Sequence, residues 1–418
     1  MKKVLLIICG LCCMLAFSCN KEDSVKNDDK NVTDPTVGNE RKPLSLNTKQ
    51  QNLVIQGNDL AGKFTAAVQA SEERDFMVSP LGLQFALGMV MNGATDDAYA
   101  KACEALGYKD ITCTELNEYL QLLALSLPAM DKLTRIEIAN AAIVNDKYTL
   151  KEEYSKNLAR YYDAYIKNKS FANLPDVQSD INAWCREHTH GMIPSIGLNL
   201  NDKTVAILLD ALYFNGSWAC KFDKNNTSKE TFTRADGSKT EVDMMKNETK
   251  YSVFGSDKYT GIHLPYGNGS YYMTLVLPDE GYSVSDIFKD WHILHYSSRA
   301  YDVDLWVPKF TVHYTIKLND ILREIGLGSL LGGNFSRISD ALSGAGLEYQ
   351  QDTALEMSED GAEASAVTIV NMMYTANVDD LYKDGNKIIL HFDKPFLYCI
   401  SEASTGAVLF AGVYGARP

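Results

Sequence analysis

The stretch "KIILHFDKPFLYCISEASTGAVLFAGVY" runs from Lys387 to Tyr414. Two runs rich in β-branched and aromatic residues flank Ser404-Thr405-Gly406, so the pattern predicts two strands around a tight turn. Upstream, "TGIHLPYGNGSYYMTLVLPDEG" (Thr260–Gly281) predicts a second hairpin around Gly267-Asn268-Gly269. "YDVDLWVPKFTVHY" (Tyr301–Tyr314) alternates through Val303, Leu305 and Val307, the period of a half-buried strand. Helical spacing dominates nearer the N-terminus. "NDLAGKFTAAVQ" sets Leu60, Phe64 and Val68 on one face. "SPLGLQFALGMVMNGA" begins with Ser79 as candidate N-cap and Pro80 at the first helical position. "IKLNDILREIG" lines up Leu318, Ile321, Leu322 and Ile325 and ends at Gly326. Helices mainly first and strands mainly later predict an α+β fold with large antiparallel sheets.

The composition suits one large domain or two or three small ones: 418 residues, 45% apolar and 22% charged. With no repeat and no internal linker, one domain is the reading. A net charge of −14 argues against a nucleic-acid partner, which needs a basic face.

The N-terminus looks like a targeting segment. "MKK" is a basic start and "VLLIICGLCCMLAF" an apolar core too short to span a bilayer comfortably, so residues 1–18 are read as a signal peptide. Ser18-Cys19 resembles a bacterial lipobox, with Cys19 as the lipidated residue. Bulky Phe17 makes the match loose and leaves plain secretion or a periplasmic location as the alternative. "KED" after Cys19 resembles the short acidic signal that sends lipoproteins of Bacteroides-like bacteria through the outer membrane to the cell surface; a solvated linker reads equally simply. Residues 19–44 are polar and are expected to be a disordered linker, with the folded domain at 45–418. Of nine cysteines, Cys103, Cys113, Cys185, Cys220 and Cys399 lie in that domain. An odd count without paired spacing is no disulfide framework and no zinc site, although a Cys103–Cys113 bridge suits an oxidising compartment.

One stretch resists assignment: "MSEDGAEASAVTIVNMMYTANVDDLYKDGNK", Met357–Lys387. It opens acidic, turns small, then carries Val367, Thr368, Ile369 and Val370 in a row, too apolar for a loop and too small at its start for a buried strand.

Several motifs together carry a family resemblance. "LHFDKPFLYCI" (Leu390–Ile400) is similar to the C-terminal signature of the serpins. "FMVSPLGLQFALGMVMNGA" resembles their helix B. "LLDALYFNGSWACKFD" resembles their central strand 3A with the breach tryptophan, here Trp218. "IHLPY", "LVLPDEG" and "VPKF" follow in the family's order, so the resemblance covers about residues 45–418. It implies a serpin fold of three β-sheets and eight or nine helices, metastable, with an exposed reactive-centre loop. A protease cleaves that loop, which inserts into the central sheet and traps the enzyme as an acyl-enzyme. The protein would be an inhibitor and not an enzyme, monomeric and without cofactor or metal. Its partners would be elastase-, chymotrypsin- or subtilisin-like serine proteases, with cysteine proteases as a second class.

The resistant stretch is then loop before cleavage and strand after. Counted as a strand, Ala362, Ala364, Ala366, Thr368, Val370 and Met372 share one face, and Glu363, Ser365, Val367, Ile369 and Asn371 the other. The first face enters the sheet without burying a charge. The resemblance makes Glu359, Gly361, Ala362, Glu363, Ala364, Ser365 and Ala366 the hinge. Counting from Glu359 puts the scissile bond after Thr375; counting back from Pro395 puts it near Asp384. An insertion within "NVDDLYKDGNK" reconciles them, giving Met373, Tyr374, Thr375 and Ala376 as the reactive region. At the shutter, Ser79 is kept, Gly82 replaces a frequent Ser, Asp210 a usual Asn, and Gln351 a common His. Gln351 is expected to donate to the Asp210 carboxylate. A weakened shutter prone to latency is the alternative. "HTHG" (His188–Gly191) resembles half a metal site and lacks a third ligand nearby. Two other functions stay open: a non-inhibitory serpin acting as a surface binding protein, and an adhesin-like surface protein.

Overall fold

The computed structural model describes residues 39–198, 204–295, 299–361 and 387–416. Cys19 and residues 362–386, which include Ala362–Ala366 of the hinge and the reactive region Met373–Ala376, lie outside the described residues.

In chain order the elements are α1 (Thr48–Ser71), β1 (Phe76–Val78), α2 (Pro80–Met91), α3 (Asp96–Leu106), α4 (Cys113–Ser126), β2 (Thr134–Asn145), α5 (Glu152–Tyr162), β3 (Tyr165–Lys169), α6 (Leu174–His188), β4 (Ala206–Gly216), β5 (Ser228–Thr233), β6 (Lys239–Gly255), β7 (Tyr259–Tyr266), β8 (Tyr271–Pro278), α7 (Val284–Ile287), β9 (Arg299–Pro308), β10 (Phe310–Lys317), α8 (Asn319–Glu324), β11 (Gly332–Asn334), β12 (Ser343–Gly346), β13 (Gln350–Met357), β14 (Ile388–His391), β15 (Phe396–Glu402) and β16 (Val408–Tyr414). This is an α+β fold with eight α-helices among the described residues.

Three sheets organise it, beside a small β11–β12 pair. The long β6 belongs to two of them. Its first part pairs β5 and β9, and β14 joins β9 in parallel; its end pairs β7, followed by β8, β15, β16 and β1. The hairpin β15–β16 is buried along its whole length, which explains why its sequence reads as continuous apolar runs without alternation. β10 does alternate, buried and exposed, because one of its faces meets water. The third, central sheet is in two pieces: β3-β2-β4 and β10-β13.

The predicted turns are present. Ser79 caps α2, its hydroxyl accepting from Gly82 N at 3.0 Å, with Pro80 first in the helix. β7 and β8 pair from Tyr259↔Pro278 to Tyr266↔Tyr271 around Gly267-Asn268-Gly269. Lys387–Tyr414 yields a third short strand, β14, beyond the two expected. The boundary of the folded part moves. Asn39 is only 9% exposed, so packed chain begins inside the stretch 19–44 expected to be disordered linker. Polar composition does not separate a solvated residue from one buried against polar partners. All five cysteines of the domain are free thiols; the Cys103–Cys113 bridge is not formed.

Candidate functional site: breach, hinge and shutter

The two pieces of the central sheet face each other across β4 and β13. At their upper end Ser217 bridges Gly361, the last described residue before 387. Trp218, buried, stacks on Tyr266 at 4.3 Å and 14°, and its indole N–H donates to Ser358 O at 2.8 Å. Gly361 has φ +38°, and a Cβ there would sit 2.6 Å from Gly216 O and Trp218 N. A glycine is therefore required at this position beside Ser217.

Glu359 lies two residues before Gly361. It is 4% exposed, yet its carboxylate is fully engaged: Lys309 Nζ lies 2.8 Å from Oε2, and Thr227 Oγ1 donates to Oε1 at 2.8 Å. Burial alone would raise its pKa; the Lys309 ammonium and the Thr227 hydroxyl outweigh that and hold it below the ordinary glutamate value. Asp360 pairs with Lys224 beside it.

The shutter is arranged differently. The Gln351 side chain grips the Ser79 backbone at both ends, Oε1 accepting from Ser79 N at 2.8 Å and Nε2 donating to Ser79 O at 2.9 Å. Ser79 Oγ also donates to Leu409 O at 2.9 Å. The expected Gln351–Asp210 bond is not formed, because the Gln351 amide is spent on Ser79. Asp210 Oδ2 is buried with no hydrogen-bond partner. Burial pushes this carboxyl well above the usual aspartate range. Gly82 makes the room it needs: a Cβ on Gly82 would sit 2.5 Å from Asp210 Oδ1. Asp210 lines a cleft of about 710 Å³ between β4 and β13, whose walls include Leu83, Leu208, Ile196 and Tyr349.

Of the expected residues, Glu359, Gly361 and Trp218 come together at the breach, and Ser79 and Gln351 at the shutter. Lys309, Thr227 and Tyr266 were not anticipated as site residues. Lys309 lies inside the "VPKF" motif, which was the available signal. The "HTHG" histidines are used elsewhere: His188 packs on Trp184 at 4.7 Å and His190 Nε2 lies 3.0 Å from Glu137 Oε2. Among the described residues no group of three or more His, Cys, Asp or Glu could hold a metal ion.

Comparison with known proteins agrees with this geometry. The serpin (serine protease inhibitor) family model matches residues 56–415. The chain belongs to the serpin family. Human neuroserpin is 26% identical over 361 residues, covering 82% of this chain and 86% of that one. Iripin-5 of Ixodes ricinus is 28% identical over 379 residues, covering 87% and 94%. Among solved structures, the thermophilic serpin tengpin in its native state superposes with a TM-score of 0.73 at 26% identity, covering 90% of this chain and 97% of that one. Human thyroxine-binding globulin complexed with thyroxine gives 0.74 at 22% identity, covering 88% and 98%, and so shares the fold.

Proposed function

We propose that the protein inhibits serine proteases as a suicide substrate. A target enzyme attacks the loop in the region Met373–Ala376, and the serine oxygen displaces the peptide nitrogen to form an acyl-enzyme. The released hinge, from Gly361 onward, then inserts between β4 and β13 and carries the acylated protease with it. The observation that carries this reading is the cleft between β4 and β13, the two strands whose continuations meet where Ser217 bridges Gly361. Two strands line one gap, and β13, which forms one wall, runs on to the hinge at Gly361. The uncharged Ala362, Ala364 and Ala366 suit entry into that gap. Tyr374, Thr375 and Ala376 suit elastase-, chymotrypsin- or subtilisin-like enzymes, with cysteine proteases as a second class. We also place the protein, as a monomer lipidated on Cys19 after removal of residues 1–18, on a bacterial outer membrane and exposed at the surface.

A non-inhibitory binding role is the second reading. Thyroxine-binding globulin, complexed with thyroxine, has this fold, and the cleft here could admit a small ligand instead of a strand. Denaturing gels after incubation with a protease panel separate the two. The inhibitory reading expects an SDS-stable complex with an elastase- or chymotrypsin-type enzyme. Ala364→Arg should convert inhibitor to substrate, since an unpartnered guanidinium would be buried during insertion, while Glu363→Arg on the outer face should be mild. Cleavage by every active protease with none retained would leave the binding reading.

A further inference from the structure

Asn39, the first described residue, is tied into the body by both ends of its side chain. Nδ2 donates to Asp131 Oδ1 at 2.7 Å, and Oδ1 accepts from Lys132 N at 2.8 Å. Its backbone carbonyl accepts from Asn268 Nδ2 at 3.1 Å. Asp131 is 2% exposed. Its other hydrogen bonds come from Leu133 N, Thr134 Oγ1 and Asn268 N, at 3.0, 2.6 and 3.2 Å. All these donors are neutral, so each one matters to a buried carboxylate.

The same contacts reach the breach. Asn268 sits in the β7–β8 turn. Its neighbour Gly267 has φ +45°, and a Cβ there would lie 1.8 Å from Asp131 Oδ2, so the turn is seated directly on the carboxylate. Gly267 N donates to Ser217 O at 2.7 Å, and Tyr266 carries the Trp218 stack. Ser217 in turn bridges Gly361. Further along, Arg41 interacts electrostatically with Glu402, a fully buried carboxylate, and Leu44 N donates to Ser404 Oγ at 3.0 Å. The segment is thus fastened near both ends, each time beside a buried acid.

We propose that residues 39–44 form a strap that holds the breach closed, so that the N-terminal segment regulates how readily the central sheet opens. Asn39 locks Asp131 and the β7–β8 turn; the turn locks Ser217 and Trp218; these hold the root of the loop. Loosening the strap by proteolysis, or by tension on the chain that precedes it, would release the sheet. The consequence for inhibition rests on the insertion reading above. The strap itself is measurable without any protease, so failure of one is distinguishable from failure of the other.

The test is amide hydrogen exchange on the chain from Asn20 onward, comparing the natural sequence with Asn39→Ala, Asn39→Asp and Ser404→Ala. Asn39→Ala should speed exchange roughly tenfold at Gly267 and Asn268 and also at Ser217, Trp218 and Gly361. Asn39→Asp, which sets a second carboxylate against Asp131, should do more. Ser404→Ala frees the other end while leaving every donor to Asp131 in place, and should accelerate the same amides by a smaller factor. It decides the matter if the Asn39 variants do not fold. Faster exchange confined to residues 131–134 and 268, with Ser217, Trp218 and Gly361 unchanged, would overturn the strap and leave a local tie.

Discussion

Two carboxylates with buried oxygens stand at different levels of the central sheet, and they are treated oppositely. Glu359, at the breach, has an ammonium and a hydroxyl on its two oxygens. Asp210, at the shutter, has an oxygen with no partner. The first is held ionised; the second is pushed toward the neutral form by burial. A buried acid with good partners fastens the structure, whereas one without them marks where it gives. The contrast places the firm joint beside Gly361 and the soft joint in the wall of the cleft between β4 and β13.

The largest effect should come from breaking the firm joint. Lys309→Ala removes the cation from Glu359 and strands a buried carboxylate. A fully buried pair broken this way costs roughly 3–5 kcal/mol. Here Lys309 is 37% exposed and Thr227 still donates, so about 2 kcal/mol is expected. Chemical denaturation midpoints and the rate of ageing at 37 °C would read it. The pH dependence provides a signature. Glu359 has a depressed pKa, so its stabilisation is present above the unfolded glutamate value and is lost as pH falls through the folded one. Lys309→Ala should flatten that acid-side loss. Unchanged midpoints and an unchanged acid limb would mean that the pair does not fasten the hinge.

Asp210→Asn probes the soft joint with the sign reversed. The raised pKa of Asp210 means that its contribution is present below the unfolded aspartate value and is lost as pH rises toward the folded one. The variant should therefore match the natural protein in acid and exceed it increasingly toward pH 8. The gain there should be about 1–2 kcal/mol, the cost of an unsatisfied buried polar group. Melting curves across pH measure the gap. A gap that stays constant with pH would show that Asp210 titrates alike in the folded and unfolded protein, with no burial shift.

Much of this was legible in the sequence, for reasons that are local. Ser79-Pro80 announces a helix start because an N-cap and its first helical proline are neighbours in the chain. The Gly267-Asn268-Gly269 turn announces β7 and β8 because its geometry needs adjacent small residues. The charge partners were not legible. Lys309 and Glu359 sit on different strands, β10 and just past β13, and only the fold brings them together. The Gln351 amide could have faced Asp210 or Ser79; strand position decided it, and no residue pattern records that choice. Asn39 failed for another reason: a polar residue buried on a carboxylate looks, in composition, like a polar residue in water.

The smallest effect tests whether Gly82 and Asp210 form one unit. A Cβ on Gly82 would meet Asp210 Oδ1 at 2.5 Å, so Gly82→Ser alone overpacks this contact and should destabilise by roughly 1–3 kcal/mol. Its hydroxyl would also seek a partner in the same crowded space. Asp210→Asn changes that space in two ways: it removes the tendency of the group to ionise, and it offers an amide that can donate. The serine oxygen can then accept from the asparagine amide while its hydroxyl donates to the asparagine carbonyl, whereas an ionised Asp210 could only accept from the hydroxyl. In the double variant Gly82→Ser/Asp210→Asn, the penalty of the serine should shrink by about 1 kcal/mol relative to the sum of the single changes, the size expected for residues in direct contact. Denaturation midpoints for the four proteins of the cycle give the coupling directly. Additive single effects would mean that the glycine makes room for the backbone alone, and that the unpartnered carboxylate is tolerated independently of it.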